Sequence, residues 1–294
     1  MEKKASTQPL TQRGQMGWVT PPKALLSISR PANLVIVFCS VAVGAAIADA
    51  PFTHSALWLA ALSATLIAGG ANTINDVYDL EIDRVNKPFR PLPAGQITPN
   101  QAKWAALVEL VSGVLLGWLV SPATGLMALC FALLLFEYAR RWKRSVLIGN
   151  VLVSLSTAAA FVYGALAVNR PSRSLWPALL AFFFHLAREI IKDMEDIPGD
   201  RLHQAITLPV KYGERPAIRI VWLAFILLVA TSFWPFLLGE YGPTYMLLMA
   251  IGVYPVLTYT LYRLKPGADA RQLRQLSTLL KLDMAVGLLA IYLG

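Results

Sequence analysis

Charged residues are scarce in this sequence. Only 15% of its 294 residues are Asp, Glu, Lys or Arg, whereas a soluble domain usually carries about a quarter. Hydrophobic residues make up 56%, and the mean hydropathy is positive at +0.54. The length alone suggests two soluble domains, but this composition excludes them. We therefore expect one bundle of membrane-spanning helices, each using roughly 20 apolar residues.

Cysteine is almost absent, and no segment has the pattern of a secretory signal. The two cysteines, Cys39 and Cys130, lie inside apolar runs without CxxC spacing, which argues against a disulfide or a thiolate metal site. The net charge of +9 does not indicate nucleic-acid binding, because the basic residues lie in short segments between apolar runs. Residues 1–23 are polar, and we expect them to form a cytosolic amino-terminal segment.

Apolar runs predict an all-α, polytopic fold with nine transmembrane helices in a single domain over residues 24–294. The positive-inside rule supports this count: with a cytosolic amino terminus, 24 of the 26 Lys and Arg residues fall on the cytosolic side or at its helix ends. We expect a multi-pass protein of the cytoplasmic membrane. The predicted spans are 31–48, 56–75, 102–120, 123–138, 146–168, 175–191, 217–238, 243–262 and 276–293.

Acidic residues are concentrated in two short windows. Nine of the 17 lie in 76–83 and 189–200, and each window contains the pattern DxxDxxxD at the predicted cytosolic end of an apolar run. Matching aspartates of the two motifs are 117 residues apart throughout. This register predicts two related half-sites that face each other across the bundle. The aspartates are Asp76, Asp79, Asp83, Asp193, Asp196 and Asp200.

Spacings of three and four place the aspartates of each motif on one helix face, although Pro198 and Gly199 are expected to end the second helix before Asp200. Two like charges about 4 Å apart repel by about 4 kcal/mol at an effective dielectric near 20, so six converging carboxylates need cations. Oxygen ligands without His or Cys favour Mg²⁺, which shares carboxylates with substrate phosphates. Asn72 and Asn75 lie on the approaching turns. The alternative is that the acids are solvated helix ends paired with cytosolic Lys and Arg.

The segment NDVYDLEIDRVNKPFRPLPAG, residues 75–95, resembles the first signature of the UbiA superfamily of intramembrane prenyltransferases. The segment REIIKDMEDIPGDRLHQAITLPVKYG, residues 188–213, resembles the second signature, most closely in the branch of digeranylgeranylglyceryl phosphate synthases. The resemblance implies an active site at the cytosolic face, where an allylic prenyl diphosphate ionises and a lipophilic acceptor captures the carbocation. The expected acceptor is a glyceryl phosphate ether lipid precursor. The alternatives are homogentisate, hydroxybenzoate, a chlorophyll-type acceptor or a quinone precursor.

The resemblance also assigns roles to individual residues. The six aspartates would be catalytic and, with Asn75, would hold two Mg²⁺ ions. No obligate protein partner is expected. Other basic residues near the motifs, Lys192 among them, are candidates for binding diphosphate or a phosphorylated acceptor. The substrate-binding residues expected are Asn33, Asn72, Asn75, Arg90, Tyr138, Lys143 and Lys211.

Three ionisable residues inside apolar runs, Glu109, His185 and Asp283, are further functional candidates, because such residues are costly in a membrane. Interior hydrogen bonding is the simpler interpretation of each. An ion transporter is the rival class, since transporters also combine internal duplication with intramembrane carboxylates. The position of the acids at one membrane face, rather than at the midplane, argues against a transporter.

Overall fold

The structure, a computed structural model, describes residues 21–294, which form helices without a strand. The prediction for residues 1–23 thus falls almost entirely outside the described residues. Three short segments differ from α-helix, namely 3₁₀ turns at Trp142–Arg144 and Pro171–Ser174 and a π-helix at Met249–Val253. The α-helices are α1 (Pro21–Ile28), α2 (Pro31–Ala46), α3 (Ser55–Tyr78), α4 (Leu80–Asn86), α5 (Pro99–Val120), α6 (Pro122–Arg140), α7 (Ile148–Ala167), α8 (Leu175–Leu202), α9 (Leu208–Tyr212), α10 (Glu214–Leu237), α11 (Pro243–Leu248), α12 (Tyr254–Arg263) and α13 (Ala270–Leu293).

Eight helical segments in the described range are long and apolar enough to cross a membrane, and α1 with α2 makes a ninth candidate bent by 56°. The all-α prediction is confirmed, and the number of spans reaches the predicted nine when the bent pair is counted as one. The main difference at the carboxyl end is that α13 begins at Ala270, six residues before the predicted span. Asp269 caps this helix by accepting a hydrogen bond from the Gln272 amide at 2.6 Å. Hydropathy cannot detect this first polar turn.

The chain bends sharply between α1 and α2. Arg30, at the break, has φ 59° and ψ 71°, in the left-handed region that few non-glycine residues adopt. Pro31 begins α2, and a proline disfavours the helical conformation in the residue before it. The bend brings the Arg30 side chain to the carboxyl end of α3, where it contacts Asp76.

Helix α2 closes the bundle by packing against both α7 and α13. Helices α3, α5, α6 and α7 pack mainly on their neighbours in sequence, while α8 packs on α7, α10 and α13. One apolar core includes Ile190, Phe225 and Leu280, and another includes Val41 and Ile67. The outer surface carries many exposed large apolar side chains, as a lipid-facing surface requires.

Two glycines allow α2 and α7 to cross with their backbones in contact. A Cβ added at Gly164 would lie 2.0 Å from the carbonyl oxygen of Val41, and one added at Gly44 would lie 2.2 Å from that of Phe161. Small residues at such crossings let membrane helices approach closely. The crossing therefore fixes the position of α2 relative to α7.

Gly164→Val is expected to destabilise the protein by about 1–3 kcal/mol, because the added side chain overpacks this crossing. Thermal unfolding in detergent micelles measures the effect. Gly287→Val is the matched control, because a Cβ at Gly287 meets no atom within 4 Å. A melting temperature for Gly164→Val equal to that of the control would contradict the close backbone contact.

Candidate active site

The first aspartate motif lies across a helix break rather than on one continuous helix. Helix α3 ends at Tyr78, Asp79 has φ −92° and ψ 3°, and α4 begins at Leu80. The Asp79 amide still donates to the Asn75 carbonyl at 2.9 Å, and the Asp83 amide donates to the Asp79 carbonyl at 2.8 Å. These bonds keep the aspartates close together despite the break.

The second motif lies entirely within α8, so the prediction that Pro198 and Gly199 end the helix is wrong. Helix α8 continues to Leu202 with Pro198 in its interior. Proline lacks a backbone N–H and interrupts the regular hydrogen bonding of the helix. Asn86 from α4 binds the backbone on both sides of this proline: its Nδ2 donates to the Asp196 carbonyl at 3.1 Å, and its Oδ1 accepts from the Gly199 amide at 3.0 Å.

Gly199 is needed for this contact, because a Cβ there would lie 2.4 Å from Asn86 Nδ2. Lys87, the next residue along the first motif's loop, pairs with the Asp196 carboxylate and donates to its Oδ1 at 2.7 Å. Asn86 and Lys87 thus join the two motifs directly.

Buried ion pairs hold the carboxylates of the first motif. Asp76 pairs with Arg30, and its Oδ1 also accepts from Arg90 at 3.0 Å. Arg90 contacts Asp83 as well. Asp79 pairs with Lys143, and its Oδ2 accepts from Asn75 Nδ2 at 2.9 Å. The alternative interpretation was right about pairing with Lys and Arg, but the three aspartates are only 2–3% exposed, so they are not solvated helix ends.

Burial and pairing change the pKa values of the loop residues. Burial favours a raised pKa for Asp79, but the charge and hydrogen bond of Lys143 outweigh it and lower the pKa. Burial opposes the charge on Lys143, but Asp79 raises the pKa of this ammonium above its ordinary value. The ion pair therefore stabilises the fold fully at pH values above the ordinary pKa of an aspartate. This stabilisation is lost as the pH falls through the lowered pKa of Asp79. In Asp83, burial raises the pKa and Arg90 opposes it only in part.

Polar groups from other segments contact the aspartates of the second motif. Asn150 of α7 donates to Asp193 Oδ2 at 2.7 Å, Lys87 pairs with Asp196, and Thr207 donates to Asp200 Oδ2 at 3.3 Å. Asn150 thus joins α7 to α8 through a motif residue.

The predicted convergence of all six carboxylates is not seen. Among residues 21–294, no three His, Cys, Asp or Glu side chains gather closely enough to hold an ion by themselves. Each carboxylate instead contacts a cationic or neutral polar group, because like charges at close range repel.

A cavity of about 450 Å³ lies between α2, α3, α6, α7, α8 and α13 and borders both motifs. Asp193 and Asp196 line it directly, whereas the first-motif aspartates lie behind Arg30, Arg90 and Lys143. Six of the seven predicted substrate-binding residues line this cavity, namely Asn33, Asn72, Asn75, Arg90, Tyr138 and Lys143.

Lys211 is the exception, because it lies on α9 with its ammonium 5.1 Å from the centre of the Tyr212 ring. The structure does not bring it into the cavity.

Several residues of the site were missed by the sequence analysis. For Arg30, the one indication in the sequence was its position just before Pro31 and the predicted site residue Asn33. Arg188 and Lys281 had been counted as basic residues on the cytosolic side or at its helix ends, but each lies more than ten residues from either end of its helix and lines the cavity.

The three predicted intramembrane candidates occupy different places. Glu109 lies outside the cavity wall and accepts a hydrogen bond from Ser29 at 2.9 Å. His185 lines the main cavity and also a neighbouring apolar cavity of about 70 Å³. Asp283 lines only the smaller one and is 4% exposed, and its Oδ2 has no hydrogen-bond partner among the described residues.

Together, the fold and the cavity define a polytopic helical membrane protein with a buried charged chamber at one end of its bundle. The sequence pattern of the UbiA prenyltransferase family matches residues 35–282, most of the chain. The chain therefore belongs to the UbiA prenyltransferase family, and it is a prenyltransferase. This assignment replaces the ion-transporter alternative.

Two relatives that match most of the chain have the same name. The chain is 35% identical to digeranylgeranylglyceryl phosphate synthase of Methanopyrus kandleri, over 91% of this chain and 97% of the relative. It is 37% identical to the enzyme of the same name from Methanococcus vannielii, over 83% of this chain and 87% of the relative.

Solved structures agree with the fold. A structure of digeranylgeranylglyceryl phosphate synthase matches with a TM-score of 0.72 at 29% identity, covering 93% of this chain and 98% of that one. A UbiA homologue from Archaeoglobus fulgidus, bound to DMAPP and Mg²⁺, matches with a TM-score of 0.67 at 19% identity, over 91% and 99% of the two chains. The latter likeness is evidence for the fold alone.

Asn86→Ala is expected to destabilise the protein by about 1–3 kcal/mol, because it leaves the Asp196 carbonyl and the Gly199 amide without their side-chain partners. Thermal unfolding and prenyl transfer are measured on the same preparations, and activity is expected to fall as well. Asn100→Ala, at an exposed position near the start of α5, is the matched control. An Asn86→Ala protein as stable and active as this control would show that the bridge between the motifs is dispensable.

Proposed function

We propose that this chain is a Mg²⁺-dependent enzyme of the cytoplasmic membrane that transfers a prenyl group from an allylic prenyl diphosphate to a glyceryl phosphate ether lipid precursor. The observation that carries the proposal is the pair of registered aspartate motifs, joined through Asn86 and Lys87 at one cavity. The names of the relatives favour the glyceryl phosphate acceptor. The active site faces the cytosol in this proposal.

The aspartates of the motifs and Asn75 fit magnesium. They offer carboxylate and amide oxygens as ligands, and Asn75 Oδ1 is buried beside Asp79 without a hydrogen-bond partner among the described residues. Mg²⁺ takes carboxylate and amide oxygens and shares them with phosphates. When bound, two Mg²⁺ ions supply positive charge that stabilises the departing diphosphate. The residues that would hold them are Asn75, Asp76, Asp79, Asp83, Asp193, Asp196 and Asp200.

The basic residues that neutralise the aspartates have a second role in this proposal. Arg90 and Lys143 line the cavity while paired with Asp83 and Asp79, so their remaining N–H groups are available to diphosphate oxygens. Charge-assisted hydrogen bonds of this kind are stronger than neutral ones. Tyr138 lines the same part of the cavity and adds a hydroxyl donor.

The apolar part of the cavity suits the prenyl chain. Its wall includes Ile67 of α3, Phe131 and Leu135 of α6, and Val153 of α7. Excluding water matters because water would otherwise capture the allylic cation. In the transfer, the bond between the first prenyl carbon and the diphosphate oxygen breaks, and its electron pair leaves with the diphosphate. The acceptor hydroxyl oxygen bonds to that carbon and releases its proton.

Asp79→Asn and Asp196→Asn are each expected to reduce prenyl transfer at least about 100-fold at saturating Mg²⁺, as the loss of one group that stabilises developing charge commonly does. Transfer is measured with radiolabelled geranylgeranyl diphosphate. Glu81→Gln is the matched control, because Glu81 lies in the same segment but is exposed and, within residues 21–294, pairs with Arg84 alone, at 2.7 Å. Near-normal transfer by either aspartate variant would remove that residue from the proposed site.

Purified protein is expected to convert geranylgeranyl diphosphate and a geranylgeranyl glyceryl phosphate into a diether lipid, and EDTA is expected to abolish this product. Mass spectrometry of the extracted lipids measures it. Homogentisate and hydroxybenzoate, offered under the same conditions, should give no prenylated product. An aromatic product without the diether would overturn the proposed acceptor while leaving prenyl transfer intact.

A further inference from the structure

Three basic side chains, which we call the α8–α13 basic cluster, lie together on the cavity wall: Arg188, Lys192 and Lys281. Arg188 and Lys192 are one turn apart on α8. Arg188 Nε also donates to the Ser277 carbonyl of α13 at 3.1 Å. Ser277 lies one turn before Lys281 on α13, and residues four apart share a helix face. The two helices therefore present their cations to the same part of the cavity.

The charge of the cluster is only partly neutralised. Glu189 is buried and accepts from Lys192 at 2.7 Å and from Arg188 at 3.2 Å. Lys281 has no hydrogen bond or ion pair with any residue in the described range. Glu189 is the one carboxylate paired with these three cations, so the cluster itself has a formal charge of +2; Asp193, next to Lys192 on the same wall, is among the proposed magnesium ligands. A phosphate monoester carries about −1.5 to −2 at neutral pH, so it matches this charge.

The position of the cluster makes an unused charge costly. Arg188 and Lys281 lie near the middle of α8 and α13, two helices long and apolar enough to cross a membrane. Ionisable residues at such positions are rare and usually belong to functional sites. The aspartate motifs do not account for them, because the ion pairs of those motifs use Arg30, Lys87, Arg90 and Lys143.

We propose that the α8–α13 basic cluster binds the phosphate of the acceptor, apart from the site of the prenyl diphosphate. This inference rests on the proposed function and names the part of the cavity that recognises a phosphorylated acceptor. At 1.5 Å per residue, Arg188 lies about 8 Å along the α8 axis from Asp193, while Lys192, next to Asp193 in sequence, is the end of the cluster nearest the donor site. The acceptor hydroxyl then lies between its own bound phosphate and the reactive carbon of the donor. Glu189 holds Arg188 and Lys192 in position for this contact.

Lys281→Met tests the proposal. The Michaelis constant for the geranylgeranyl glyceryl phosphate is expected to rise about tenfold, in keeping with the loss of one charge-assisted hydrogen bond. The Michaelis constant for geranylgeranyl diphosphate should not change. Activity toward the matching glyceryl ether without phosphate should also be unchanged. Lys103→Met makes the same substitution at an exposed position of α5 and should leave all three quantities at wild-type values.

Binding of the phosphorylated acceptor, measured by calorimetry in detergent, gives a second readout that does not depend on turnover, and Lys192→Met gives a second variant. The proposal is overturned if both variants bind this acceptor as tightly as wild type. It is also overturned if the loss is equal for the unphosphorylated ether, or if the constant for the diphosphate rises instead. Wild-type protein that prenylates only an aromatic acceptor would refute the proposed function itself, and the inference with it.

Discussion

Neutralisation of buried carboxylates is the constraint on which the rest of the structure depends. An unpaired charge taken out of water costs several kcal/mol, so Asp76, Asp79 and Asp83 require cationic partners from elsewhere in the chain. Arg30 reaches Asp76 from a left-handed break, Lys143 reaches Asp79 from a 3₁₀ turn, and the loop after α4 returns Arg90 to both ends of the motif. The irregular segments of the fold are thus the ones that carry these partners.

The general architecture could be predicted from the sequence, because a membrane span is a local property of about 20 residues. The alternation of basic segments and the constant offset between the two motifs likewise need no knowledge of contacts. The resemblance to the UbiA superfamily added Asn33, Asn75, Tyr138 and Lys143, which the structure places at one cavity. Orientation in the membrane stays a prediction, since it concerns surroundings that the fold alone does not determine.

Pairings across the bundle could not be predicted in the same way. Pro198 ends a helix by local rules, but α8 continues past it, and Asn86, distant in sequence, binds the backbone on both sides of this proline. In the sequence, Arg188 and Lys281 resemble the basic residues that mark the cytosolic ends of membrane helices. In the structure, both helices extend more than ten residues beyond them in each direction. In each case the deciding partner lies on another helix, so a pattern within one segment contains no information about it.

The interior position of Lys281 bears on how the chain is assembled. Helix α13 carries both Lys281 and Asp283 near its middle. Each such residue adds up to about 2.5–3.5 kcal/mol to the cost of inserting a lone helix, the upper figure applying at the membrane centre. Helix α8 is synthesised earlier and offers α13 a packing surface with the Arg188 side chain against its backbone. The last helix is thus poorly suited to enter lipid alone, and its integration during biogenesis depends on helices that are already in place.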